Sequence, residues 1–155
     1  MRPPAPGRNA CGMIDMADNR WLVHKFGGSS VADADCFRRV ADILLAEKAP
    51  RQAVIVSAMA KMTDALLSLV AGAETAPNTI PPGVVARGSR YRTAVHALLP
   101  QAAQAPLLSA FDADIADARD VLHAISLVRS AADRSRDLIS GFGELWSSRL
   151  LAAYL

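Results

Sequence analysis

Residues 22–33, LVHKFGGSSVAD, constrain the fold of this chain more than any other stretch. Trp21 to Phe26 reads as a strand that carries Lys25 to a turn of Gly27 and Gly28, after which Ser29 and Ser30 lead into a helical pattern. Phe37, Val40, Ala41, Leu44 and Leu45 recur at helical spacing, with Arg38, Arg39, Asp42, Glu47 and Lys48 on the other face, and Pro50 closes the helix. Ala53 to Val56 is a β-branched run too short for a core helix and suited to a buried parallel strand. Strand, helix, strand predicts a right-handed βαβ unit and therefore an α/β fold with a parallel sheet.

In such a unit the ligand crevice lies beyond the carboxyl ends of the strands, where Lys25 with its glycines and Ser57 both fall. A phosphate can be cradled by peptide N–H groups only where side chains stand clear. Gly27 and Gly28 provide that clearance, Ser29 and Ser30 add hydroxyls, the next helix offers its positive end, and Lys25 supplies a full charge. The lysine precedes the glycines, so the string is neither the GxxxxGK[ST] loop nor the GxGxxG fingerprint. Taken alone it fits either a phosphate turn or a tight strand-to-helix connection.

The second cluster is VIVSAMAKMTDALL, in which Ser57 closes the strand, Lys61 sits in the connection and Thr63 opens a helix running to about Glu74. Thr63 suits an N-cap or a ligand contact. Residues 75–82, TAPNTIPP, form a break. Val84 to Leu99 and Leu107 to Val128 read as helices punctuated by Pro100 and Pro106. His96 and His123 lack partners at metal-ligand spacing, no metal site is expected, and Arg87, Arg90 and Arg92 read as a solvated face.

Asp133 to Leu155 has helical period yet contains Gly141 and Gly143, each costing a helix about 1 kcal/mol relative to alanine. Close approach of another backbone would explain the pair. Leu138, Ile139, Phe142, Leu145, Trp146, Leu150 and Leu151 surround them, so a buried helix is expected, with Glu144 as a carboxylate in need of a partner. That partner is either Arg149, a ligand ammonium or a catalytic lysine.

Composition removes several alternatives. At 155 residues, 52% hydrophobic and 21% charged, the chain has the size and make-up of one soluble domain. A net charge of +2 with dispersed basic residues argues against a nucleic-acid surface, and no apolar run approaches a membrane span. Two cysteines, Cys11 and Cys36, form no disulfide framework, which suits the cytoplasm. Residues 1–20 read as a flexible leader without a secretory signal, and 21–155 as the folded part.

HKFGGSSVAD at 24–33, VSAMAKMTD at 56–64 and SGFGELWSSRLLAAYL at 140–155 resemble, in order and spacing, the three N-terminal motifs of aspartokinases. The HKFGGSS and GELWSSRL forms, with DVLHAISL at 120–127, are most similar to the bifunctional aspartokinase/homoserine dehydrogenase branch. The resemblance implies a three-layer αβα sandwich of the amino acid kinase type, present as its N-terminal portion with a helical insert. It implies that Lys25 contacts the transferring phosphoryl group and that Gly27, Gly28 and Ser29 lie beneath the ATP phosphates. It further implies that Ser57 and Thr63 border the aspartate site and that Glu144 receives the substrate ammonium. The implied reaction is phosphorylation of the L-aspartate β-carboxylate by Mg2+·ATP, the first step toward lysine, threonine and methionine. NADP enters only with a fused dehydrogenase, and the full-length protein is expected to be a homo-oligomer.

The family's glycine-rich segment with its catalytic aspartate, its substrate-binding arginine and its base pocket have no counterpart in these residues, so a fragment inactive alone is expected. Two rivals stand beside this reading. One is another kinase of the same fold, such as a carbamate, acetylglutamate, glutamate or uridylate kinase, which lacks GFGELWSSRL in this form. The other is a non-catalytic remnant that binds a partner or self-associates through an unpaired sheet edge.

Overall fold

The computed structural model describes residues 20–75 and 83–155, and for 83–87 the backbone alone. Residues 1–19 of the leader expected over 1–20, Cys11 among them, and nearly all of the break over 75–82 therefore lie outside the described residues, as does the Arg87 side chain.

Strand β1 (Leu22–Phe26) leads through a one-turn 3-10 segment (Gly28–Val31) into helix α1 (Ala34–Ala46), which returns the chain to strand β2 (Gln52–Val56). The strands pair in parallel, Leu22 opposite Gln52 through Phe26 opposite Val56, as the strand–helix–strand pattern predicts. Helix α2 (Met62–Thr75) follows, then α3 (Gly83–Leu98), α4 (Gln101–Val128) and α5 (Asp133–Tyr154). Helix α2 packs against α4 and α5, and α3 bridges α1 and α4.

Alternation along the strands divides the sheet into two faces. Phe26 and Val56 reach the core, and Val54 and Val56 line a depression with Leu151 of α5 and Leu155 just past its end. On the opposite face Val23 is 58% and Ile55 54% exposed, with Lys25 between them. The expectation of a fully buried β2 is thus corrected: among the described residues the helices cover one side only.

Helix α1 buries Cys36, Phe37, Val40, Ala41 and Leu44, a stripe set by the 3.6-residue period, while Leu45 falls past its edge into solvent. Pro106 does not punctuate, because α4 runs through it. The missing N–H of Pro106 leaves the Ala102 carbonyl without its helical donor, and Ala102 is exposed, so water can serve. Helix α4 closes at Arg129, whose N–H still donates to the Ile125 carbonyl at 2.8 Å and whose left-handed backbone (φ 56°) turns the chain out of the helix.

Helix α5 is buried along one stripe, through Ile139, Phe142, Gly143, Trp146, Ser147, Leu150 and Leu151, and not all round. Tyr91 of α3, Phe111 of α4, and Phe142 and Trp146 of α5 form one aromatic cluster, with Tyr91–Phe111 and Phe111–Trp146 centroids both 4.7 Å apart. Burial raises the Tyr91 hydroxyl far above its ordinary pKa. Beside the cluster, Asp114 accepts from Trp146 Nε1 at 3.0 Å and from Arg149 at 2.5 Å, pinning α5 to α4. Among the described residues no helix is long and apolar enough to cross a membrane.

Candidate functional site

The two strands end together. Ser57 N donates to the Phe26 carbonyl at 3.0 Å, carrying the ladder one residue past β2 and placing the 27–31 turn beside the 57–61 loop. Gly27 adopts an extended backbone (φ −76°, ψ 171°), and no described glycine has positive φ, so clearance rather than handedness is what these glycines provide. Over Gly27 a Cβ would meet nothing within 4 Å. At Gly28 it would stand 2.9 Å from the Ala58 carbonyl oxygen, so a side chain there would drive the turn off the loop.

Ser29 and Ser30 are exposed at the rim, and Lys25 is exposed one residue before the strand ends. The helix after the turn is not an open anion site. Asp33 caps α1, its carboxylate accepting from Cys36 N at 2.9 Å, and that bond is the main cause holding its pKa below the ordinary carboxylate value. The positive end of α1 is already occupied by the chain's own carboxylate. This corrects the expectation that it would face a phosphate; the peptide N–H groups of the turn itself remain.

In the second loop Ala58 and Met59 are buried, and Lys61 holds a left-handed backbone at φ 63°. Helix α2 begins at Met62, with Ala65 N donating to the Lys61 carbonyl at 3.1 Å, so Lys61 occupies the cap and Thr63 lies within the first turn. The N-cap expected at Thr63 is therefore displaced by two residues, because the left-handed Lys61 turns the chain earlier than the hydroxyl pattern indicates. Ser57 and Thr63 are both half-buried.

The third segment arrives through Gly143. A Cβ there would stand 2.6 Å from Ala58 Cβ and 3.4 Å from Met62 Cγ. This is the close approach expected for the α5 glycines, and it belongs to Gly143 alone, since nothing lies within 4 Å of a Cβ at Gly141. Glu144 follows directly and is exposed, which corrects its placement in an apolar setting: it sits one residue off the buried stripe. Arg149 is not its partner either, being engaged by Asp114.

All three sequence motifs thus meet at Ala58, which touches the space of Gly28 through its oxygen and of Gly143 through its methyl. Sequence reasoning missed this alanine, having no local signal for it. It also missed Arg90 and Arg92. Arg90 donates to the carbonyls of Ala60 at 2.9 Å and Ala32 at 2.8 Å, while Arg92 pairs with Asp112 and lies over the Phe111 ring. The arginine face is solvated as expected, with Arg90 exposed and Arg92 partly so, but both side chains are also engaged. His96 is exposed and hydrogen-bonds Gln104.

Comparison with known proteins follows the same residues. The sequence profile of the amino acid kinase family matches residues 20–155. The chain is 33% identical over 132 residues to bifunctional aspartokinase/homoserine dehydrogenase 2, chloroplastic, of Arabidopsis thaliana, covering 85% of this chain and 14% of that protein. It is 32% identical over 134 residues to bifunctional aspartokinase/homoserine dehydrogenase 2 of Escherichia coli (strain K12), covering 86% of this chain and 16% of that protein. Among solved structures, E. coli aspartokinase III in complex with lysine and aspartate matches with a TM-score of 0.73 at 27% identity, over 86% of this chain and 28% of that one. The chain therefore spans a minor part of the length of these relatives.

Proposed function

Because this chain belongs to the amino acid kinase family, we propose that it forms the front of an aspartate kinase site, binding the phosphates of ATP on one loop and L-aspartate on the next. The observation that carries this reading is the convergence of the 27–31 turn, the 57–61 loop and the Gly143–Glu144 segment on Ala58. The reaction is transfer of the γ-phosphoryl group of ATP to the aspartate β-carboxylate, giving aspartyl phosphate and ADP, within amino-acid biosynthesis in the cytoplasm. Such transfer depends on positioning and on neutralising phosphoryl charge.

Lys25 supplies a mobile cation at the strand end, and the N–H groups of Gly27, Gly28 and Ser29 supply fixed dipoles, with open space over Gly27 for an oxygen to approach. Ser57 and Thr63 border the acceptor, and Glu144 faces solvent where a substrate ammonium can reach it. Magnesium would enter with the ATP phosphates, which supply ligands of their own; among the described residues no three His, Cys, Asp or Glu gather to ligate a metal, and no step is routed through the ion.

The test is a 15N NMR titration of the chain. ATP is expected to move the amides of Gly27 to Ser29, and L-aspartate those of Ser57, Thr63 and Glu144; saturating ligand that leaves both sets unmoved refutes the reading. A second reading, a non-catalytic chain that docks a partner, is favoured by the uncovered sheet face around Val23 and Ile55. Concentration-dependent sedimentation with no ligand shifts would select it.

A further inference from the structure

Two carbonyl oxygens at the back of the site, those of Ala32 and Ala60, accept no backbone N–H among the described residues. Ala32 closes the 3-10 turn just before the Asp33 cap, and Ala60 precedes the left-handed Lys61. One guanidinium serves both: Arg90 Nη1 donates to Ala60 at 2.9 Å and Nη2 to Ala32 at 2.8 Å. We propose that Arg90 is a positioning residue that fixes the separation between the 27–31 turn and the 57–61 loop.

The guanidinium is rigid and planar, so two acceptors bound to its two terminal nitrogens are held at a spacing set by covalent geometry. The helix that carries it is held in turn. Tyr91, the next residue, is locked in the aromatic cluster, and near the far end of α3 Arg38 donates to the Ala97 carbonyl at 2.8 Å. A groove of about 480 Å³ runs between α1 and α3, with Ala32, Asp33, Arg38, Met59 and Arg90 among its lining residues, so the clamp borders open space. Nothing in the local sequence marks Arg90, which lies in the segment between motifs. Its importance for phosphoryl transfer rests on the reading above, in which one loop holds the donor phosphates and the other the acceptor, a gap that must be set closely for reaction.

The experiment compares amide hydrogen exchange in the whole chain, in wild type, Arg90→Lys and Arg90→Ala. Exchange at Ser30, Ser57 and Met62, whose N–H groups donate to the Gly27, Phe26 and Met59 carbonyls, is expected to quicken about tenfold in both variants, the scale of one charge-assisted hydrogen bond per loop. Core amides such as Leu66 and Leu150 should keep wild-type rates. Lysine retains the charge without the fork, so wild-type exchange in Arg90→Lys, or unchanged loop rates in Arg90→Ala, overturns the proposal. Should a variant lose core protection as well, the wild type answers directly, because through-hydrogen-bond couplings from the Arg90 Nη groups must reach the carbonyls of both Ala32 and Ala60, and their absence also overturns it. Nucleotide and aspartate titrations of the wild type separate the two ideas: a chain that binds neither but keeps the couplings loses the kinase reading and retains the clamp.

Discussion

Gly141 and Gly143 stand two residues apart in α5, and the same substitution is expected to stabilise at the first and to be neutral or destabilising at the second. Alanine at Gly141 meets nothing within 4 Å, so it should stabilise by the helix-propensity difference of about 0.8–1 kcal/mol. Alanine at Gly143 gains the same propensity but places its methyl 2.6 Å from Ala58 Cβ. Carbon atoms pack at about 3.5–4.0 Å, so the contact is short by about 1 Å. Ala58 has no longer side chain to swing aside, and either α5 or the 57–61 loop must move, at an overpacking cost of about 1–3 kcal/mol. The difference between the two variants isolates that cost, and at about 2–4 °C per kcal/mol for a domain of this size it separates their melting temperatures by roughly 2–12 °C. Thermal and urea unfolding followed by circular dichroism measure it. Adding Ala58→Gly removes the methyl that collides, so Ala58→Gly with Gly143→Ala should be non-additive by about 1 kcal/mol or more in the favourable direction. Equal stability of the two single variants, or strict additivity in the cycle, refutes the argument that the three motifs are held together at Ala58.

Two further outcomes follow from partners that cross between elements. Asp114→Ala removes the acceptor for both Trp146 Nε1 and Arg149, and a loss of about 1–3 kcal/mol in urea titration with a red-shifted Trp146 emission is expected; an unchanged midpoint contradicts it. Glu74 accepts from Ala131 N at 2.9 Å and from Arg136 at 2.7 Å, and the backbone bond first, then Arg136, hold its pKa below the ordinary 4.5. A carboxylate with a lowered folded pKa contributes stability that is complete above 4.5 and fades as pH falls through the folded value. Glu74→Gln should therefore flatten the acid limb of the stability profile in that window while leaving its slope at neutral pH alone, and an acid limb identical to wild type counts against the contact.

The parts of the fold that could be read from sequence are those whose cause is local. The β1–α1–β2 unit is legible because period and punctuation change together at Gly27, Pro50 and Ser57, and α5 because its apolar residues repeat at helical spacing. The candidate residues on the two loops were legible by their place at strand ends. What failed depended on direction or on distant partners. Glu144 lies one position off the α5 stripe, and the apolar residues on both sides of it give no warning of which way its carboxylate faces. Arg149 finds Asp114, 35 residues earlier in the chain, and Arg90 finds carbonyls 30 and 58 residues away, contacts that no periodicity encodes. The open face at Val23 and Ile55 escaped because burial of a strand is decided by the elements that cover it.

The left-handed backbone at Lys61 bears on which sequences can build this loop at all. A non-glycine residue holding φ 63° carries a steric cost of about 1–2 kcal/mol, whatever its side chain does in a reaction. Glycine or asparagine would enter position 61 at little cost, straight-chain residues at a tolerable one, and valine, isoleucine or threonine only by rebuilding the turn that starts α2. Lysine at this position is therefore costlier than glycine or asparagine, though not as costly as a β-branched residue. In designed variants of this chain, position 61 separates the demands of the backbone from the demands of the charge: glycine satisfies the first and discards the second.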